Sequence, residues 1–172
     1  MDMNKPQVII IMGSKSDLSV MKGAPEVLEE LGIGYELTIL SAHRTPHRVM
    51  RMAESAVKRG IKVIIAGAGM AAHLPGVIAA FTTIPIIGVP IKADNSPGGL
   101  DSVLAILQMP PGVPVATVAI NGSRNAGILA AQVLATADPE LTEKLVKLKD
   151  KMREKVETLA DEVESKGYKA ML

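Results

Sequence analysis

The chain has no cysteine and no tryptophan, and its aromatic residues are one phenylalanine and two tyrosines. Without cysteine there are no disulfides, no thiolate nucleophiles and no sulfur-ligated metals. With so few rings to stack on bases, and with 19 basic residues against 18 acidic ones for a formal charge of +1, a nucleic-acid surface is excluded as the main function. Long hydrophobic runs are also missing. Behind Met1-Asp2-Met3-Asn4-Lys5-Pro6 the first apolar stretch, Val8 to Met12, is too short for a signal or a membrane span, so we expect a cytoplasmic protein without membrane association.

The 172 residues, 48% of them hydrophobic and 22% charged, suit one compact domain with a sizeable core. Apolar β-branched runs at Val8–Ile11, Leu37–Leu40, Val63–Ile65, Ile86–Val89 and Val115–Ile120 alternate with segments of helical period. The first helix places Val20, Met21, Ala24, Val27, Leu28 and Leu31 on one stripe, with Ser16 as cap and an end near Gly32. Pro25 conflicts with a continuous helix there, because it removes a backbone hydrogen bond. The second helix starts with Thr45 as N-cap and Pro46 behind it, turns Val49, Met52, Ala53, Ala56 and Val57 inward, and runs to about Gly60. Further helices are predicted over Leu74–Phe81, Leu100–Leu107 and Asn125–Leu134. This repeated βα pattern predicts an α/β, three-layer, doubly wound, flavodoxin-like fold with a central parallel sheet of about five strands, each read as buried on both faces.

A domain over residues 1–138 is then followed, after Asp138-Pro139, by a long charged helix over residues 139–172. Its Leu141, Leu145, Leu148, Met152, Val156, Leu159 and Val163 recur at spacings of three and four. Such a stripe fits a helix lying across its own domain or one reaching a neighbouring subunit; its length favours the neighbour, and with it a homo-oligomer.

Three polar or small-residue segments each follow a strand: Gly13-Ser14-Lys15-Ser16-Asp17, Ser41-Ala42-His43-Arg44-Thr45-Pro46, and Gly67-Ala68-Gly69-Met70-Ala71-Ala72-His73. Parallel strands deliver all three to one edge of the sheet, where open α/β folds bind ligands. In the first, the hydroxyls of Ser14 and Ser16 and a helix N-terminus suit a phosphate or carboxylate, although Ser16 and Asp17 also fit a purely capping role. No Walker pattern is present, so a monophosphate fits better than a triphosphate. In the second, His43 is suited to proton transfer and Arg44 to holding an anion. His47 reads as a surface residue, and His73 as either a pocket residue or a cap; neither is given a catalytic role. The third segment superficially matches Gly-x-Gly-x-x-Ala of dinucleotide sites, but no acidic residue follows at Val89-Pro90-Ile91. Its small residues instead let backbone approach a small neutral species such as carbon dioxide.

Taken together, Gly13 to Asp17, Ser41 to Pro46, Val63 to Gly69, Ala71-Ala72-His73-Leu74-Pro75-Gly76 and Gln108-Met109-Pro110 resemble the catalytic subunit of phosphoribosylaminoimidazole carboxylase, in the class of N5-carboxyaminoimidazole ribonucleotide mutases, over residues 7 to 145. The resemblance implies de novo purine biosynthesis, with a carboxylate moved from the exocyclic nitrogen of 5-(carboxyamino)imidazole ribonucleotide to ring carbon C4. It implies His43 as general acid and base, Ser14, Asp17, Arg44 and Ser41 on the nucleotide, and no metal or organic cofactor. Ser16, Ala68, Gly69 and Leu74 complete the expected substrate-binding set. The resemblance also implies an octamer whose C-terminal helices pack on neighbours, and coupling to the ATP-dependent carboxylase that makes the substrate. Ala71-Ala72-His73-Leu74-Pro75 follows the mutase pattern rather than that of enzymes carboxylating aminoimidazole ribonucleotide directly with carbon dioxide, the alternative activity. A non-catalytic nucleotide-binding module is the alternative of another class. The chain departs from the family pattern at Met70, where glycine is usual, and in a shorter loop over Asn121-Gly122-Ser123-Arg124-Asn125.

Overall fold

β-branched and aliphatic residues fill β1 (Val8–Met12), β3 (Val63–Gly69) and β4 (Ile86–Ile91), and these three strands form the buried middle of the sheet. The computed structural model describes residues 5–171; Met1 to Asn4, part of the segment read above for export, and Leu172, the end of the predicted C-terminal helix, lie outside them. With β2 (Tyr35–Ile39) and β5 (Ala116–Thr117) the strands form one parallel sheet in the order β2-β1-β3-β4-β5. Val8 pairs with both Tyr35 and Val63, and Met12 with both Ile39 and Gly67, so the three strands run in step along β1, and β3 continues against β4 to Gly69.

Side chains alternate across β1. Ile9 and Ile11 join Ile64 and Ala66 in a core with Val49, Ala53 and Ala56 of α3 (Pro46–Ala56), Leu74 and Ile78 of α4 (Leu74–Ala79), and Ile106 of α5 (Leu100–Leu107). On the opposite face, Gly67 is in close approach to Met21 of α1 (Leu18–Met21). The next helix, α2 (Gly23–Leu31), is matched there by α6 (Ser123–Ala135), whose Gly127 lies against Val27 and the Ala24 backbone. Helices thus cover both faces of a five-stranded parallel sheet, the three-layer fold expected from the sequence.

Several local expectations change. The first helix is broken at Lys22, so Pro25 falls in the opening turn of α2, where its missing N–H costs little. Ser14, not Ser16, is the cap: its hydroxyl accepts from Ser16 N–H, while Asp17 Oδ2 accepts from Ser14 N–H at 2.9 Å. This reciprocal pair is a capping box around the short 3-10 turn Lys15–Asp17. Thr45 precedes α3 as expected but does not cap it with its side chain; Oγ1 instead accepts from Ser41 N–H at 2.9 Å and donates to Ser41 O at 3.1 Å. Val57 ends α3 facing solvent, 54% exposed, rather than inward. β2 and β5 are edge strands and are only partly buried, because each has a neighbour on one side alone. The run Val115–Ile120 supplies a strand of just two residues, since its later pairing with β4 is irregular.

The described chain divides into two compact units, one up to Leu134 and one from Ala135 onward. In the second, Asp138 accepts from Leu141 N–H at 3.0 Å and Pro139 opens α7 (Pro139–Lys166), 28 residues long. Its solvent side carries spaced ion pairs such as Lys144–Glu140 and Lys166–Glu162, while Met152, Val156, Leu159 and Val163 are also exposed.

A methyl group at Gly127 would sit 2.4 Å from Val27 Cγ1 and 3.0 Å from the Ala24 carbonyl oxygen. In an open helix glycine-to-alanine stabilises by roughly 1 kcal/mol, but backbone cannot step aside cheaply. Gly127→Ala is therefore expected to destabilise by about 1–3 kcal/mol, read as a lower urea midpoint at unchanged slope.

Candidate active site

The carboxyl ends of β1, β2 and β3 open into a cavity of about 290 Å³, close to the lower end of small-molecule sites at roughly 300–1,000 Å³. Because β2 and β3 flank β1, the loops that follow them meet above the end of β1, beside the turn at Gly13. All nine residues expected from the sequence line this one cavity: Ser14, Ser16, Asp17, Ser41, His43, Arg44, Ala68, Gly69 and Leu74. Gly13, Ala42, Met70, Ala71 and Ala93 complete the wall.

Each loop is held by its own hydrogen bonds. The Ser14–Asp17 capping box fixes the first, and Ser16 Oγ donates to Ser14 Oγ at 3.0 Å, leaving a cluster of hydroxyls at the cavity rim. In the second, Ser41 Oγ accepts from Arg44 N–H at 3.2 Å and from Arg44 Nε at 3.4 Å. Arg44 Nη2 donates to Gly13 O at 3.2 Å, tying the second loop to the first. The guanidinium has five N–H donors; less the two so engaged, three remain for an anionic ligand. A permanent cation beside clustered hydroxyls is suited to a phosphate or carboxylate.

His43 and His73 come together across 30 residues of sequence, with His43 Nε2 2.9 Å from His73 Nδ1 and the rings edge-to-face at 76°. One ring nitrogen must donate and the other accept, so the pair shares a proton between two imidazoles. The sequence alone leaves His73 open between pocket residue and cap. It occupies the position before α4 but makes no side-chain cap; its ring is spent on His43. The signal available was its place in Ala71-Ala72-His73-Leu74-Pro75, on a loop bound for the same sheet edge. His47 is exposed and outside the cavity, as read.

Gly67 and Gly69 lie within β3 rather than in a phosphate-binding turn, which removes the dinucleotide match. They serve close approach instead. A Cβ on Gly69 would stand 3.0 Å from Ile91 O, and one on Gly67 would meet the Met21 thioether at 2.4 Å. Among the described residues, no three His, Asp or Glu side chains gather as a metal-ligating group.

The profile of the AIR carboxylase family matches residues 7–155. The chain belongs to that family. N5-carboxyaminoimidazole ribonucleotide mutase of Thermotoga maritima is 57% identical to it over 167 residues, 97% of each chain. The Pyrococcus horikoshii protein of the same name is 55% identical over 172 residues, all of this chain and 97% of the relative. Among solved structures, Treponema denticola PurE superposes with a TM-score of 0.77 at 30% identity, covering 93% of this chain and 98% of that one. Against this family, the cavity at the ends of β1, β2 and β3 is the site where its chemistry is sought.

Met70, a wall residue with φ of 56°, holds a left-handed conformation that costs an L-residue about 1–2 kcal/mol. Glycine adopts it freely but brings more unfolded-state entropy. Met70→Gly is accordingly expected to raise stability by up to about 1 kcal/mol, measured by chemical denaturation; a loss of stability would show that the thioether packs more tightly than its exposed position indicates.

Proposed function

We infer that this chain is an N5-carboxyaminoimidazole ribonucleotide mutase of purine biosynthesis, an isomerase that moves a carboxylate from the exocyclic nitrogen of the imidazole ribonucleotide to ring carbon C4. The observation that carries the reading is one cavity joining His43 to the Ser14–Asp17 turn and the Arg44 guanidinium. The near full-length identity to proteins of that name supports it.

The residues divide the work by chemistry. Arg44, with its free N–H donors, and the hydroxyls of Ser14, Ser16 and Ser41 suit the phosphate, and the Asp17 carboxylate suits ribose hydroxyls. His43, in its protonated form, gives a proton to the exocyclic nitrogen as the nitrogen–carbon bond breaks, which leaves aminoimidazole ribonucleotide and carbon dioxide. Carbon C4 then attacks carbon dioxide, and the neutral imidazole takes the proton that C4 loses. One proton leaves His43 and one returns, so the cycle closes with no net proton and no redox change. Ala68, Gly69 and Leu74 present an apolar, small-residue wall suited to holding carbon dioxide between the two steps.

His43 Nε2 cannot face His73 and a substrate nitrogen in the same moment. A proton transfer through Nε2 therefore breaks the imidazole pair, whereas one through Nδ1 leaves it intact. His43→Asn is expected to bind the ribonucleotide and to lose at least roughly a hundredfold in kcat, whereas His73→Asn keeps kcat within about tenfold of wild type. Equal losses in the two variants would assign the proton transfer to the pair instead. The reaction itself is tested by comparing product formed from the carboxyamino substrate with product formed from aminoimidazole ribonucleotide plus bicarbonate. Efficient use of only the second pair would make the chain a direct carboxylase.

On this reading the protein works in the cytoplasm, its substrate supplied by an ATP-dependent carboxylase. The exposed apolar stripe Met152, Val156, Leu159 and Val163 supports assembly of copies through α7, with an octamer as the expected state. Sedimentation of a chain ending at Ala137 is expected to show a smaller particle than the full chain; an unchanged oligomer would remove α7 from the assembly.

A further inference from the structure

The fourth wall of the cavity comes from the segment after β4, through Ala93. That segment has no strand pairing of its own. It is tied instead to the loop after β5: Lys92 N–H donates to Asn121 Oδ1 at 3.0 Å, and Asn121 N–H donates to Pro90 O at 2.8 Å. The second bond prolongs the β4–β5 ladder with a slip. Val118 N–H bonds Gly88 O, so two steps along β4, Gly88 to Pro90, are matched by three along the other chain, Val118 to Asn121. Asn121, with φ of 58°, takes the left-handed position of a turn closed by Gly122 N–H on Ala119 O at 2.9 Å. Asparagine tolerates this left-handed region better than most residues. The turn presents its side chain to the Lys92 amide.

We propose that Asn121 is a positioning residue of the active site, which sets the Lys92–Ala93 wall through its side-chain carbonyl. It touches no substrate; it acts on the wall that does. The inference rests on the proposed mutase reaction for its kinetic test, and on the amide bond alone for a second one.

Two variants separate the roles. Asn121→Gly keeps the backbone conformation and removes the acceptor, Asn121→Asp keeps both, and wild type is the reference. Loss of one neutral hydrogen bond in Asn121→Gly is expected to raise KM for the carboxyamino substrate about fivefold, with kcat within about twofold and a thermal midpoint within about 4 °C of wild type. Asn121→Asp is expected to return KM to within about twofold of wild type. Amide hydrogen exchange, which needs no turnover, is expected to accelerate at Lys92 by about tenfold in Asn121→Gly and not in Asn121→Asp.

An unchanged KM in Asn121→Gly overturns the proposal, whether or not exchange at Lys92 accelerates. So does an equal rise in KM in both variants, because the effect would not run through the acceptor. A wild-type chain that fails to convert the carboxyamino substrate removes the mutase reading instead. The variants are then compared by equilibrium binding of aminoimidazole ribonucleotide, where the same fivefold weakening in Asn121→Gly, rescued in Asn121→Asp, supports the role of Asn121 and its absence overturns it.

Discussion

The pairing of β1 on both sides governs the rest. Met12 is in register with Ile39 and with Gly67, so β1 and β2 end at one level, and β3 runs two residues further along β4 before its loop begins. A slip of a single residue would turn the alternating Ile9/Ile11 and Val8/Ile10/Met12 sets to the wrong faces of the sheet. Both sets are apolar and wholly buried, so the penalty for that slip lies in packing: side chains would be forced into close approaches such as that of Gly67 to Met21. The core therefore fixes the register, and the register places the Gly13 turn, the His43 loop and the Met70 loop around one cavity.

Small residues let the layers come close enough for this to happen. Gly67, Gly88 and Gly127 stand where a Cβ would lie within 2.5 Å of Met21, Ile106 and Val27 respectively. The same β3 strand begins as Val63-Ile64-Ile65 and ends as Ala66-Gly67-Ala68-Gly69. Its first half holds the sheet by apolar burial; its second half thins to backbone at the level of the cavity. Core packing and site shape are thus written along one strand.

Periodicity made the middle of the sheet and α5 legible, because continuous β-branched runs and a stripe between glycine and proline leave few alternatives. It was less informative at the edges. Val115–Ile120 has the composition of a strand, yet pairing with one neighbour only, and a turn over Ala119–Gly122, leave two residues in regular structure. Val57 continues the α3 stripe in sequence but lies past the last helical turn. The choice between Ser14 and Ser16 as cap was open to local reading, since Ser14 and Asp17 have the three-residue spacing of a capping box. The contacts of His73 and Asn121 were not. His73 meets a partner 30 residues away, and Asn121 meets one 29 residues away. Only the strand order puts those loops beside each other.

Strand order also explains why the site is assembled from weak, local devices. Each loop is closed by its own short-range bonds: Ser14 with Asp17, Ser41 with Thr45 and Arg44. Single long-range bonds then join the loops, Arg44 to Gly13, His43 to His73, and Asn121 to Lys92. All three joining bonds are solvent-exposed, so each contributes modestly to stability. Their effect is on geometry: they hold preformed loops at set distances across a rigid sheet edge. A ligand that competes for one of them exchanges one modest bond for another and leaves the sheet undisturbed. The rigid register and the exchangeable joins are complementary requirements, since a side chain in such a site must be placed accurately yet be free to turn toward what binds there.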